Sequence, residues 1–526
     1  MFAETTSVTM VGAEPRPVRV EAHVGGAKDV FKLSGLPDTA VREAKERVRA
    51  AVASSSMSFP ARRITVNLAP ADLPKGGADY DLPIALGVLG AAGTIPARPV
   101  VALGELALDG SVRAGRGALG AAIVASRMGV PCLVADEVAS EAASVMGADV
   151  VPVRTLAEAV AVVSGEARRR TVEPAHRPRP SAPDLADVRG QPLARRALEV
   201  AAAGGHHLFL HGPPGSGKSM LAHRLGGLLP PLTDDEALAA ACVWAAAGRT
   251  RGVDRTPPFR SPHHTASLAA LIGGGTGTVV PGEISLASHG VLFLDELGEF
   301  PARSLDALRQ PLEEGEVTIA RRGMSVNLPA AVQLVAATNP CPCGYAGDRV
   351  QACQCSPATL RRYRRRISGP LLDRFDLRVA VRRLSADELQ GPTGEPTSAV
   401  APRVEAARKR QAERGALNRD LTRAQLDREP IDGEAGRLLT RAVDRAGLTA
   451  RGYDRIRRVA RTLADLEEVD AIQERHIAEA LALRGSWRPA STSWLEATAP
   501  IRLGSRRSPT RRNASGSEDP SRSRRV

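Results

Sequence analysis

Gly212, Pro213, Pro214, Gly215, Ser216, Gly217, Lys218 and Ser219 form an eight-residue loop between the apolar run Leu208-Phe209-Leu210 and a helical pattern over residues 220–228. A strand, a glycine loop and a helix N-terminus in that order aim backbone N–H groups and a positive dipole end at phosphates. In that setting Lys218 would reach the β and γ phosphates and Ser219 would bind Mg²⁺. Hydrolysis also needs carboxylates. The continuously apolar run Val291 to Leu294, of the kind expected for a strand covered on both faces, ends in Asp295 and Glu296. Asp295 would serve the Mg²⁺ shell and Glu296 would act as general base for the attacking water. A third apolar run, residues 331–337, ends in Thr338, Asn339 and Pro340. Asn339 would contact the γ-phosphate or orient water, an assignment that rests on a strand end shared with the other two motifs. A strand-end Asn is otherwise a turn residue.

Four of the six cysteines, Cys341, Cys343, Cys353 and Cys355, crowd a turn-rich loop immediately after Asn339. Six cysteines in so long a chain cannot form a disulfide framework. Four soft sulfurs suit tetrahedral zinc, although a two-residue spacing inside each pair is more usual than one. A reduced metal-free loop and redox chemistry are the alternatives. No His or acid at ligand spacing leaves an open position for water, so the site would be structural. Cys132 and Cys242 sit in apolar surroundings and read as buried.

Placing these groups takes several elements in a 526-residue chain, long enough for about three folded domains. Strand-like runs (residues 63–68, 100–103 and 130–135) alternate with Ala-rich helical patterns (residues 39–54 and 82–92), giving an N-terminal α/β domain, residues 1–165. Residues 166–186, rich in Arg, Pro and Ala, read as an exposed linker. Residues 187–381 resume the alternation and carry the phosphate loop and both later motifs. Helical spacing then takes over in residues 386–413, 434–446, 451–466 and 473–484, making a helical domain over residues 382–499. Residues 500–526 are too poor in hydrophobes to order themselves.

The net charge is +13, and residues 501–526 hold eight Arg against Glu518 and Asp519, close to half of that excess. The balance favours a polyanionic partner. Aromatics are only 3% of the residues, so a nucleic-acid grip must rest on charge rather than base stacking. No long uncharged apolar stretch and no basic-then-apolar N-terminus is present, which predicts a soluble, cytoplasmic protein without a membrane partner. Residues 262–283 are glycine-rich and loop-like, and residues 316–328 read as a hairpin with Arg321 and Arg322 at its tip.

With Leu371-Leu372-Asp373-Arg374-Phe375-Asp376, these motifs resemble the ATPase module of AAA+ proteins in the magnesium-chelatase-like branch, which includes the MCM helicases. The domain order and the segment from Asn339 to Gly344 resemble the YifB/ComM family over nearly the whole chain except the tail. The resemblance implies ATP and Mg²⁺ as ligands, an AAA+ core with a helical lid, and a homo-hexameric ring. It implies that Arg374 acts across the subunit interface as an arginine finger, where a guanidinium stabilises charge developing on the γ-phosphoryl group. Pairing of Arg374 with Asp373 or Asp376 is the alternative. It also implies a sensor arginine at the start of a lid helix, for which Arg451 fits best, with Arg455 and Arg458 nearby. In a ring, the hairpin carrying Arg321 and Arg322 would face the pore and grip DNA phosphates without reading bases; solvated turn charge is the alternative.

The N-terminal domain resembles the Lon-type protease domain, of the ribosomal S5 domain 2-like α+β class. Where Lon has its Ser, this chain reads Asp79-Tyr80-Asp81 after Lys75, and the activating Lys is missing too, so peptide hydrolysis fails. Three functions compete: a DNA motor for branch migration during recombination of imported DNA, a chelatase-type motor remodelling a partner protein, and a non-hydrolysing ATP-dependent scaffold. A scaffold would not need Glu296 and Arg374. A chelatase subunit is not expected to carry the Lon-like domain or the cysteine loop.

Overall fold

The computed structural model describes residues 1–485 apart from residues 27, 74, 168–169, 175–181, 276–278, 322–323, 349 and 447. Arg322, the side chain of Arg321, parts of the expected linker and residues 486–526, including the basic tail, lie outside the described residues.

The nucleotide motifs share one all-parallel five-stranded sheet, ordered Phe259–Arg260, Val291–Leu294, Gln333–Thr338, Leu208–His211, Leu377–Ala380. Leu208, Phe209, Leu210, Leu292, Leu294 and Leu334 to Ala337 are all buried, because helices cover both faces of such a sheet. The strand Gln333–Thr338 therefore lies between the phosphate-loop strand and the acidic strand, and their carboxyl ends gather at one edge. Helix Pro192–Gly204 starts with Pro at its first position and stops at Gly205, and helix Asp234–Ala246 starts with a Thr233–Glu236 capping box.

The N-terminal sheet is mixed, in the order Val30–Ser34, Arg63–Ala69, Glu14–Gly25, Phe2–Val11, Val101–Leu103, Cys132–Ala135, Val150–Val153. Its long hairpin pairs Phe2 with His23 through Val11 with Glu14. Helices Asp81–Ala92 and Ala118–Met128 pack on that hairpin. Ala241 and Cys242 of helix Asp234–Ala246 join the apolar cluster containing Leu119, Ala122 and Cys132, so the two sheets are tied together by a shared core.

Two expectations change. The helical pattern over residues 386–413 divides into Ala386–Gln390 and Thr397–Glu413, because Gly391, Pro392, Gly394 and Pro396 cannot continue a helix. The segment expected as linker is ordered at its end: Leu185 is buried, and Asp184 accepts hydrogen bonds from the N–H groups of Ala186 and Thr397. The helices Gly433–Ala446, Ala450–Leu466 and Glu474–Ala482 bury Leu439, Ile456, Val459 and Ile477 in the same cluster as Leu208 and Leu377.

Candidate active site

Gly212 lies so close to the Val381 carbonyl that a Cβ would sit 1.9 Å from its oxygen, so only glycine lets the loop leave its strand there. The loop ends at helix Lys218–Leu228. Among the described residues, nothing accepts from the N–H groups of Gly215, Gly217, Lys218 and Ser219, and the Ser216 hydroxyl is buried without a partner. Polar groups left this way in a packed loop suit a phosphate.

Lys218 is 8% exposed, and its Nζ donates to the carbonyls of Gly212 (2.8 Å) and Pro213 (2.9 Å) and to Asn339 Oδ1 (3.1 Å). Burial pulls its pKa below the usual lysine value, opposed by the charges of Asp295 and Glu296. Ser219 Oγ donates to Asp295 Oδ2 at 2.6 Å. A hydroxyl and a carboxylate this close offer the hard oxygen donors that Mg²⁺ takes alongside phosphate oxygens and water. The sequence-predicted residues of the phosphate loop and the acidic pair thus converge with Asn339 at the end of strand Gln333–Thr338.

Glu296 has a left-handed backbone, φ 50°, which a non-glycine residue adopts at a cost of about 1–2 kcal/mol and which recurs at functional sites. Asp295 Oδ1 accepts from its N–H at 2.9 Å. Its Oε2 lies 3.2 Å from His264 Nδ1, and the His264 ring stacks on His263 with centroids 4.1 Å apart. His264 belongs to the segment 262–283 read as loop-like, and its contact with the general-base candidate was missed. Two adjacent histidines ahead of an acidic strand were the available signal.

Arg374 is 9% exposed and pairs with neither Asp373 nor Asp376: its Nη2 donates to Glu313 and its Nη1 to the Pro370 carbonyl. Burial lowers its pKa, Glu313 opposes, and the cations of Arg451, Arg309 and Arg455 push the same way as burial. Arg451, exposed at the start of helix Ala450–Leu466, forms no hydrogen bond or ion pair among the described residues, unlike Arg455, which donates to Asp376 Oδ1 (2.6 Å) and the Arg374 carbonyl (2.8 Å), and Arg458, which is tied to the Leu421 carbonyl. The buried Asp376 also meets His206 Nδ1 at 3.5 Å. Desolvation would raise its pKa, but His206 and Arg455 outweigh it and keep the carboxylate ionised.

The four clustered cysteine sulfurs lie within 4.8 Å of one another, with separations of 3.3 Å (Cys341–Cys343), 3.7 Å (Cys341–Cys353) and 3.6 Å (Cys343–Cys353). A tetrahedron of sulfurs about 2.3 Å from a central ion has edges of about 3.8 Å. The Ala346 N–H donates to Cys341 Sγ at 3.3 Å, and the Tyr345 N–H, helped by that of Gln354, holds the Cys343 thiol down to about 6 against the opposing effect of burial. Burial pushes the Cys341 thiol up. The loop abuts the phosphate loop: a Cβ on Gly344 would lie 2.5 Å from Pro214 Cδ. The hairpin Glu316–Arg321/Met324–Pro329 is present, its Val326 and Leu328 buried and its second strand lying against Gly12.

Residues 184–389 match the family described as "Magnesium chelatase, subunit ChlI", residues 20–137 "Subunit ChlI of Mg-chelatase" and residues 394–484 "Magnesium chelatase, subunit ChlI C-terminal". The chain is 42% identical over 494 residues to the competence protein ComM of Haemophilus influenzae, covering 91% of this chain and 96% of that protein. It is 41% identical over 486 residues to YifB of Escherichia coli, covering 90% and 95%. A weaker likeness, 26% over 244 residues, links 42% of the chain to 29% of the DNA replication licensing factor Mcm6 of Drosophila pseudoobscura.

Proposed function

The chain belongs to the YifB/ComM family of magnesium-chelatase-like proteins, and from that membership we propose that it is an ATP-hydrolysing ring motor that acts on DNA. The observation that carries the ATPase reading is the convergence of Lys218 with Asn339 and of Ser219 with Asp295 beside loop N–H groups without protein acceptors. ATP binding would draw Lys218 off the Gly212 and Pro213 carbonyls onto the β and γ phosphates, freeing Asn339 to meet the γ-phosphate. Mg²⁺, held through Ser219 and Asp295, would neutralise phosphate charge when bound. Glu296 takes the proton of the attacking water, and His264 holds its carboxylate until then. Arg374, with Arg451 beside it, serves the ATP of a neighbouring subunit in a hexamer, exchanging Glu313 for phosphate oxygen. The four cysteines would hold a structural zinc, which would fix the loop following Asn339.

The DNA part rests on the basic balance, on the hairpin of Arg321 and Arg322, and on relatives named a competence protein and a DNA replication licensing factor. Branch migration in recombination of imported DNA, in the cytoplasm, is the specific role. A chelatase-type motor is the second reading, favoured by the three family descriptions; because one of them covers residues 20–137, an N-terminal domain does not by itself separate the two. That domain is read as a Lon-like, protease-inactive module. No helix of the described residues is long and apolar enough to cross a membrane. The test is the ATPase rate with and without single-stranded and four-way-junction DNA: stimulation supports the DNA motor, and a rate indifferent to both DNAs favours the chelatase-type reading.

A further inference from the structure

Helix Pro357–Arg366 starts directly after the last clustered cysteine, with Ser356 Oγ accepting from the Thr359 N–H at 3.2 Å and Pro357 at its first position. Its sequence from Arg361 to Arg366 is five arginines interrupted only by Tyr363. Tyr363 is 4% exposed, its hydroxyl lies 3.2 Å from Thr338 Oγ1, and its ring covers Gly298. Arg366 Nη1 donates to the Gly298 carbonyl and to Glu299 Oε2, both at 2.9 Å. These contacts clamp one side of the helix onto the segments that follow Glu296 and precede Asn339.

At 3.6 residues per turn, Arg361, Arg362, Arg364 and Arg365 fan over an arc of about 160° on the side opposite Tyr363. Arg361, Arg362 and Arg365 are exposed and Arg364 half-buried. None of the four forms a hydrogen bond or ion pair among the described residues, whereas neighbouring Arg366, Arg374, Arg378 and Arg382 all have acidic partners. Like charges three and four positions apart on a helix repel and destabilise it. The helix macrodipole, with its negative end nearby, relieves only part of that. A local rule broken without compensation inside the chain points to a partner outside it.

We propose that the Arg361, Arg362 and Arg365 face of helix Pro357–Arg366 is a binding surface for the phosphate backbone of DNA. The inference rests on the DNA-motor reading and deepens it. A row of guanidiniums fits phosphate oxygens in a polyanion. The helix's one aromatic, Tyr363, is turned inward and offers no stacking platform, so the contact is sequence-independent. Because the same helix bears on Thr338 and Gly298, DNA held there touches the element that backs the ATP site.

The test uses the full chain and labelled four-way-junction DNA of mixed sequence, with affinity read by fluorescence anisotropy over a salt series. Combined Arg361→Ala, Arg362→Ala and Arg365→Ala substitution is expected to weaken binding at least tenfold and to flatten the log K against log salt slope by about 2 to 3, leaving basal ATPase unchanged. The three Lys substitutions are expected to restore the slope, since backbone binding counts charge. Wild-type affinity and slope in the Ala variant would overturn the proposal while leaving the DNA reading in place, as would Lys substitutions that fail to restore the slope. Loss of basal ATPase together with DNA binding would make the helix a structural part of the ATP site and overturn it too. A wild-type chain without salt-dependent DNA binding would overturn the DNA reading, and the proposal with it.

Discussion

In the proposed ATPase, Lys218 and Glu296 would have separable tasks, one compensating phosphate charge and the other moving a proton. Lys218→Ala is predicted to weaken ATP binding by about two orders of magnitude, read with a fluorescent nucleotide. Glu296→Gln is predicted to keep that affinity and lower turnover by about 10² to 10⁴. Undiminished turnover in the Gln variant would remove Glu296 from the base role. These residues were legible in the sequence because phosphate binding needs backbone N–H groups in a fixed order along the chain. His264 was not, since its meeting with Glu296 joins residues 32 apart across the short helices Leu268–Ile272 and Glu283–Leu286 and the strand Val291–Leu294. The arginines of helix Pro357–Arg366 were plain as letters, but only the fold shows which of them lack partners.

The elements carry two predictions. The cysteine loop is predicted to hold about one zinc per chain, measured by metal analysis of protein prepared under reducing conditions without chelators; background metal would count against it. Sequence supplied the four cysteines, while their convergence depends on turns at Gly344 and Gly347, where φ is positive. The second prediction concerns the junction of sheet and helical segment. His207 is buried, its Nδ1 accepts from the Leu334 N–H at 2.9 Å, and burial lowers its pKa to about 3. It is neutral in the fold and takes a proton on unfolding below about pH 6.5, so its contribution is present above that pH and is lost as pH falls toward 3. The loss at pH 5 is about 2 kcal/mol. Asp376, held below the usual carboxylate range, adds a loss in the same direction only below about pH 4. Burial lowers the His211 pKa to about 4 as well and adds a loss of similar size over the same interval. Denaturant titrations at pH 7 and 5 should therefore differ by about twice that amount, and His207→Asn should remove about half of the difference; equal stability at both pH values would contradict the assignment. Strand and helix periods were readable here. The break after Gln390 was written in Gly391, Pro392, Gly394 and Pro396, but the surrounding helical spacing masked it. The strand Phe2–Val11 was missed, since Thr5, Thr6 and Ser7 are buried at positions where a sequence pattern expects apolar residues.

At the scale of the molecule, the proposed motor would share each active site between subunits. Arg374→Ala should leave ATP affinity nearly intact and cut ATPase by two or more orders of magnitude, with partial recovery on mixing with Glu296→Gln chains, because each variant supplies what the other lacks. Absence of any recovery in mixed rings would contradict action across an interface. Ring formation is not legible in one chain, whose internal contacts give Arg374 a partner, Glu313, that a neighbour's phosphate would replace. The core was more legible than the assembly because burying a parallel sheet on both faces forces a continuous apolar code, whereas a surface leaves charge without an address. Coupling of hydrolysis to movement on DNA is measured by following a labelled four-way junction with the full chain and ATP. Wild-type protein is expected to move the branch point with ATP, whereas neither a non-hydrolysable analogue nor Glu296→Gln should support movement. A wild-type chain that hydrolyses ATP yet leaves the junction unmoved, or movement equal in Glu296→Gln, would contradict that coupling.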